Sequence, residues 1–200
     1  MNHETVLAAI LEGHLPVSAL PVADQEPRSL AERIRRQAQR LVRRHPTQSP
    51  RIIQRRDQLV LLAYHRSAPP GTHSGWFDAS LPAGADRPTG VGMVLAGPEG
   101  DIIARKTGRT PERDAVRAEI TALERLMELA AAAGAEKLRA HTDCKALHHL
   151  WLTRRQDDRL GGIRQRRRAF RSLSLIRVPR LHNPVAHHLA AQAARTASPG

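Results

Sequence analysis

Apolar residues recur at helical spacing in the first third of the chain. The segment 29–45 carries its apolar residues on one helical face: Leu30, Ile34, Ala38, Leu41 and Val42. This pattern predicts an amphipathic helix whose opposite face is rich in arginine, a face that either contacts phosphates or is simply solvated. Ser29 and Glu32 have the spacing of a capping box, which predicts that the helix begins at Ser29. Shorter helices are predicted at 3–12 and 53–65, and the end of the second segment also fits a strand.

A different pattern begins after residue 75 and predicts strands alternating with helices. Predicted strands occupy 75–81, 89–96, 102–108, 137–143 and 173–179, and predicted helices occupy 114–133, 144–152 and the segment from 183 onward. Pro98 and Gly100 supply the turn between the second and third strands, and Gly134 follows the first long helix as its C-cap. The order β-β-β-α-β-α-β-α predicts an α/β fold with a mixed five-stranded sheet flanked by helices.

The segment 67–75 is rich in Pro, Gly, Ser and Thr and has no apolar period, which is typical of a linker. We therefore expect a basic helical N-terminal extension at 1–70, an α/β domain at 71–200 and a disordered tail at 195–200. The role of the extension and any protein partners are not predicted by the sequence.

The chain is strongly basic, with 32 Lys and Arg against 19 Asp and Glu and a net charge of +13. Such a charge favours a polyanionic partner, and nucleic acid is the commonest one. Cys144 is the single cysteine, which excludes an intramolecular disulfide and a cysteine-based zinc site and fits the cytoplasm. The apolar runs are far shorter than the roughly 20 residues that span a bilayer, so no membrane association is expected.

Three acidic residues interrupt apolar segments of the predicted domain. Asp78 lies in the first strand, Glu119 lies beside the apolar stripe of the first long helix, and Asp143 ends the fourth strand. Each alone is typical of a solvent-facing acid, but together they can converge on one side of a sheet. Clustered carboxylates repel one another unless a cation neutralises them, and their oxygens suit Mg²⁺ or Mn²⁺. In a basic protein this combination indicates phosphodiester chemistry.

Four segments, "FDAS", "AEITAL", "TDCKAL" and "NPVAHHLA", resemble in order and spacing the acidic motifs of type 1 ribonuclease H. The resemblance covers roughly residues 75–195 and is similar to the shorter bacterial and archaeal members of the family. It implies a ribonuclease H-like fold and places the four site positions at Asp78, Glu119, Asp143 and His187. His187 stands where the family has its fourth Asp, and Ala79 where Gly often follows the first. The segment before Glu119 lacks the Asn residues that usually contact the hybrid.

Neutral imidazole can bind Mn²⁺ or carry a proton, so His187 is either a ligand, a proton carrier or a passive surface residue. The resemblance implies hydrolysis with two Mg²⁺ or Mn²⁺ ions, one held by Asp78 and His187 and the other shared through Asp78 with Glu119 and Asp143. His182 is another candidate for proton transfer.

The expected activity is endonucleolytic hydrolysis of the RNA strand of an RNA/DNA hybrid. Residues expected to contact the nucleic acid are Arg164, Arg166, Arg167, Arg168, Arg180 and Asn183. Two alternatives stay open at this point: a nuclease for other RNA, and a ribonuclease H-like module that binds nucleic acid but is catalytically weakened.

Overall fold

The structure is a computed structural model that describes residues 3–20, 26–82, 87–153 and 156–196. Contacts divide the chain into two compact units, Met1–Ser67 and Ala68–Gly200. The predicted disordered tail at 195–200 is wrong at Arg195, which is the last residue of a helix, and residues 197–200 lie outside the described ranges. Within those ranges, none of the helices has the length and apolar content needed to cross a bilayer.

The first unit contains three helices, α1 (His3–Glu12), α2 (Pro27–Arg44) and α3 (Ser49–His65). The helix predicted at 53–65 is confirmed, and the end of this segment is helical and does not form a strand. Its buried side chains include Leu59 and Val60. Packing against the two other helices buries this apolar run without any strand partner.

The N-terminus of α2 differs from the predicted capping box. The helix begins at Pro27, and the Glu26 carboxylate accepts a hydrogen bond of 3.1 Å from the backbone N–H of Ser29. Proline is favoured at the first helical position because its φ angle is already helical and it lacks an N–H that would need a partner. Ser29 is therefore inside the helix, and the prediction that it is the N-cap is wrong.

The second unit contains a five-stranded sheet with helices on both faces. Its elements are β1 (His73–Ser80), β2 (Thr89–Ala96), β3 (Ile102–Thr110), α4 (Ala115–Ala132), β4 (Lys137–Thr142), α5 (Lys145–Thr153), α6 (Gly161–Arg166), β5 (Ser172–Arg177) and α7 (Pro184–Arg195). The strand order is β3-β2-β1-β4-β5. Strands β1, β2 and β3 are antiparallel neighbours, whereas β4 runs parallel to β1 and to β5. The predicted mixed sheet is confirmed.

The main core lies between the sheet and α4, where Phe77, Leu123 and Leu126 are buried. Asp114 caps α4 by accepting from the Arg117 N–H at 2.8 Å, and Gly134 leaves it with a φ of +75°. The helix α7 packs on β1, β2 and β3. Helix α6 is an element that the sequence analysis did not predict.

Candidate active site

Two of the predicted acids lie at the same end of adjacent parallel strands. In the pairing of β1 with β4, Trp76 is opposite His141. Asp78 and Asp143 follow these residues at equal distance along the chain, so the register places them side by side where the two strands end. Asp78 is 3% exposed, whereas Asp143, one residue beyond β4, is half-buried.

Glu119 reaches this strand end from α4. Its side chain is buried, and its Oε1 atom accepts a long hydrogen bond of 3.4 Å from the backbone N–H of Ala79, next to Asp78. Its Oε2 atom is buried and accepts no hydrogen bond, although the protonated carboxyl group is close enough to Asp78 to donate one to it. A carboxylate oxygen in that state is costly unless a proton or a cation compensates it.

His187 contacts the site directly from the first turn of α7. Its Nδ1 atom lies 2.7 Å from Oδ2 of Asp78, in a hydrogen bond that the imidazole N–H donates to the carboxylate. The imidazole is 38% exposed while the Asp78 side chain is 5% exposed. His188 is exposed, and His182 is completely buried, which makes His182 unsuited to exchange protons with solvent.

Two glycines of β2 allow α7 to come this close to the sheet. A Cβ atom on Gly92, which pairs with Asp78 across the strands, would lie 2.3 Å from the Ala186 carbonyl oxygen. A Cβ atom on Gly90 would lie 2.1 Å from the carbonyl oxygen of Ala190. Neither glycine was among the predicted site residues, although alternating glycines in a strand are a known sign of close backbone approach.

Asn183 has a different role from the one predicted. It is completely buried, and its Nδ2 atom donates to the Phe77 carbonyl at 2.8 Å and to Oδ1 of Asp143 at 2.9 Å. A side chain in this position cannot reach nucleic acid, so the prediction of a nucleic-acid contact at Asn183 is wrong. The residue instead ties the start of α7 to β1 and orients the Asp143 carboxylate.

The electrostatics of the site are those of crowded buried acids. Burial, together with the charges of Asp78 and Asp143, raises the pKa of Glu119 to about 9. Burial and the charge of Asp143 also raise the pKa of Asp78, and the hydrogen bond from His187 opposes that rise. Glu119 therefore keeps a proton at neutral pH, which a bound cation would displace.

The donor chemistry of these residues fits a hard divalent cation. Three carboxylates converge, and the unpartnered Oε2 of Glu119 is a buried oxygen that such an ion would satisfy. Among the described residues, however, no group of three or more His, Cys, Asp and Glu side chains is already arranged around a metal position. At Asp78, His187 already occupies one of the two carboxylate oxygens. A cation could therefore bind the other oxygen of Asp78 or displace His187 from the first.

The five predicted arginines fall into two groups. Arg164 donates to the Asp157 carbonyl at 2.7 Å, and Arg166 binds Oε1 of Glu128 through two nitrogens at 2.8 and 2.7 Å. These contacts hold α6 within the protein, a role that the sequence analysis did not predict. The remaining three are exposed: Arg167, Arg168 and Arg180. Their contact with nucleic acid stays a prediction.

A family model described as "Reverse transcriptase-like" matches residues 77–193, a span that contains all four predicted site residues. The chain belongs to this reverse transcriptase-like family. No curated protein matches the chain.

Solved structures place this family member among ribonuclease H folds. It is 25% identical to RNase H1 from the halophilic archaeon Halobacterium salinarum, with a TM-score of 0.55 over 62% of this chain and 97% of that one. It is 20% identical to the N-terminal RNase H domain of a Mycobacterium tuberculosis protein, with a TM-score of 0.54 over 61% of this chain and 92% of that one.

A third neighbour, LC11-RNase H1, was solved in complex with an RNA/DNA hybrid and is 16% identical, with a TM-score of 0.52 over 61% of this chain and 96% of that one. The likeness to these proteins and the family match confirm the predicted ribonuclease H-like, type 1 fold.

Proposed function

We propose that the chain is a metal-dependent endoribonuclease that hydrolyses the RNA strand of an RNA/DNA hybrid. The observation that carries the proposal is the convergence of Asp78, Glu119 and Asp143, whose mutual repulsion and burial raise the pKa of Glu119 to about 9. Burying several carboxylates side by side costs stability unless a proton or a cation compensates them. The ribonuclease H-like fold around these acids, and a neighbour solved with a hybrid, support the choice of substrate.

Asp78, Glu119 and Asp143 would hold one or two Mg²⁺ or Mn²⁺ ions. Bound there, such ions would offset the charge that develops on the phosphate and lower the pKa of the attacking water. Asn183 fixes the orientation of Asp143 through its 2.9 Å hydrogen bond. His187, half exposed at the rim of the site, is placed to accept a proton from water or to pass it to solvent. The exposed Arg180, in the loop before α7, would contact a backbone phosphate.

Cleavage of three end-labelled substrates tests this proposal: an RNA/DNA hybrid, double-stranded RNA and single-stranded RNA, each with Mg²⁺ and with Mn²⁺. We expect cleavage of the hybrid alone. Asp78→Asn should reduce the rate by on the order of 10³-fold, because the amide cannot offset the charge of a cation and the contribution of such an ion is several kcal/mol. Asp158→Asn is the matched control, since Asp158 is an exposed acid of the same unit. Equal rates for the two variants would contradict the site assignment.

The second candidate is a binding module with weakened catalysis. The observation in its favour is the direct 2.7 Å contact between His187 and Asp78, which satisfies Asp78 without a cation. The binding module would be favoured over the enzyme if the chain binds a hybrid but does not cleave it with Mg²⁺ or with Mn²⁺. Asp78→Asn should then leave the affinity for the hybrid unchanged.

A further inference from the structure

The first unit carries a continuous row of arginines that the proposed nuclease site does not use. Five arginines of α2 share one face of the helix: Arg33, Arg36, Arg40, Arg43 and Arg44. At about 100° per residue they fall within an arc of about 100°. The buried side chains of α2 lie on the opposite side: Ala31, Ile34, Ala38 and Leu41. We call the five residues the arginine face.

The length of the arginine face suits a nucleic-acid backbone. From Arg33 to Arg44 the helix rises about 16 Å, at about 1.5 Å per residue. One strand of a duplex presents a phosphate about every 3.4 Å along its axis, so about five phosphates occupy that length. The arginine face is therefore long enough to contact several successive phosphates.

Three arginines of this face are available to a partner. Arg36, Arg43 and Arg44 are exposed and make no hydrogen bond or ion pair within the described part of the chain. Arg40 contacts only the neutral Gln37, at 3.5 Å. Glu32, which borders the face, is paired with Arg35 at 3.2 Å, and Arg35 lies outside the face.

A shallow depression lies along the N-terminal half of the face. Its volume is about 230 Å³, and it is lined by Glu4, Leu7, Arg33, Arg36, Gln37 and Arg40. Glu4 is the one acid in this lining, so three guanidinium groups surround a single carboxylate. The planar guanidinium donates two parallel hydrogen bonds to phosphate oxygens, which makes such a depression suitable for a phosphate group.

The chemistry of the face favours nucleic acid over a lipid surface. Within the described residues, the exposed large apolar side chains include none from α2, whereas helices that lie on membranes insert an apolar face. The arginine face also has no aromatic residue on which a base could stack. We propose that the arginine face is a second nucleic-acid-binding surface, which contacts backbone phosphates without reading the bases. This inference goes beyond the proposed nuclease function and does not depend on it.

Salt-dependent binding of the full chain tests the proposal. The probe is a fluorescein-labelled hybrid of about 20 base pairs in EDTA, where no metal-dependent cleavage occurs, and its anisotropy is measured from about 0.05 to about 0.3 M salt. The test variant is Arg36→Gln/Arg43→Gln. The matched control, Arg28→Gln/Arg51→Gln, removes two exposed arginines of the same unit that lie outside the face.

We expect the test variant to bind roughly tenfold or more weakly at about 0.1 M salt and to lose about 1–2 from the slope of log affinity against log salt, since each phosphate contact contributes about 0.9. The control variant should lose much less affinity, and its slope of log affinity against log salt should change much less. A DNA duplex of unrelated sequence should show the same loss, because no base is read. Equal slopes for the two variants would overturn the proposal. So would a loss of binding to phosphatidylserine vesicles with binding to the hybrid unchanged, which would assign the face to a membrane.

Discussion

Replacement of Glu119 by Gln tests the electrostatic description of the site through protein stability. Burial, Asp78 and Asp143 raise the pKa of Glu119 from 4.5 to about 9 in the folded, metal-free protein. The folded state therefore keeps a proton that the unfolded state releases above pH 4.5. Since the pKa is raised in the folded state, stability is complete at low pH and is lost as the pH rises from 4.5 towards 9.

The size of this loss follows from the same values. Each pH unit inside the window costs about 1.4 kcal/mol, so the full loss between about pH 5 and pH 8 is about 4 kcal/mol. Water that enters the ionised site reduces this figure, and we expect about 2–4 kcal/mol. The amide that replaces the carboxyl group in Glu119→Gln does not titrate, so this variant should gain that amount of stability over the natural chain as the pH rises.

Urea denaturation in EDTA at pH 5, 6, 7 and 8 measures the effect. Glu99→Gln, at an exposed glutamate of the β2–β3 turn, is the control and should follow the natural chain at every pH. Added Mg²⁺ should narrow the gap at pH 8, because a cation that binds only the folded state stabilises it. Parallel pH curves for Glu119→Gln and the natural chain would refute the description of Glu119 as a buried acid among like charges.

Two further substitutions test how α7 contributes to the site. His187→Asp should lower the Mg²⁺ concentration needed for half-maximal cleavage by roughly tenfold, since a fourth carboxylate adds charge to compensate the dehydration of the ion; an unchanged metal titration would show that position 187 does not contact the metal. Gly92→Ala should cost about 1–3 kcal/mol in urea denaturation, because the added methyl group must push back the Ala186 carbonyl. Gly161→Ala is its control, since the nearest atom to a Cβ there is 3.8 Å away, and equal stability of the two variants would contradict the close approach.

Local periodicity was sufficient to predict the sheet and its helices. Each strand of the second unit combines a run of apolar residues with a turn signal, and Gly134 leaves α4 with the positive φ expected of a C-cap. The errors arose where two local signals competed. At the start of α2, Pro27 and the Glu26 carboxylate determined the helix start in place of the Ser29 capping box. In α6, burial of Ile163 stabilises a short helix inside a segment whose sequence is dominated by arginine.

The positions of the acids could be predicted because strand order and register follow from the fold. The contacts of the polar residues around them could not. Asn183 fits a surface loop by sequence, and only the packing of α7 against β1 shows that it is buried between Phe77 and Asp143. The contact of Arg166 could not be predicted either, because its partner, Glu128, is far away along the chain.

The backbone at position 187 is fixed by groups other than its own side chain. Gly92 lets the first turn of α7 rest on β2, and Asn183 ties the helix start to β1. A carboxylate or an imidazole at 187 would therefore meet the same Asp78 oxygen. A carboxylate there would add repulsion that a cation must relieve, whereas the imidazole N–H satisfies Asp78 at 2.7 Å. In the metal-free protein the cost of burying the acids therefore falls on Glu119, which keeps its proton at neutral pH because its pKa is raised to about 9. A cation at Asp78 would share this carboxylate with the hydrogen bond from His187 or displace it, so we expect the residue at position 187 to affect how tightly the site holds metal while the fold around it stays the same.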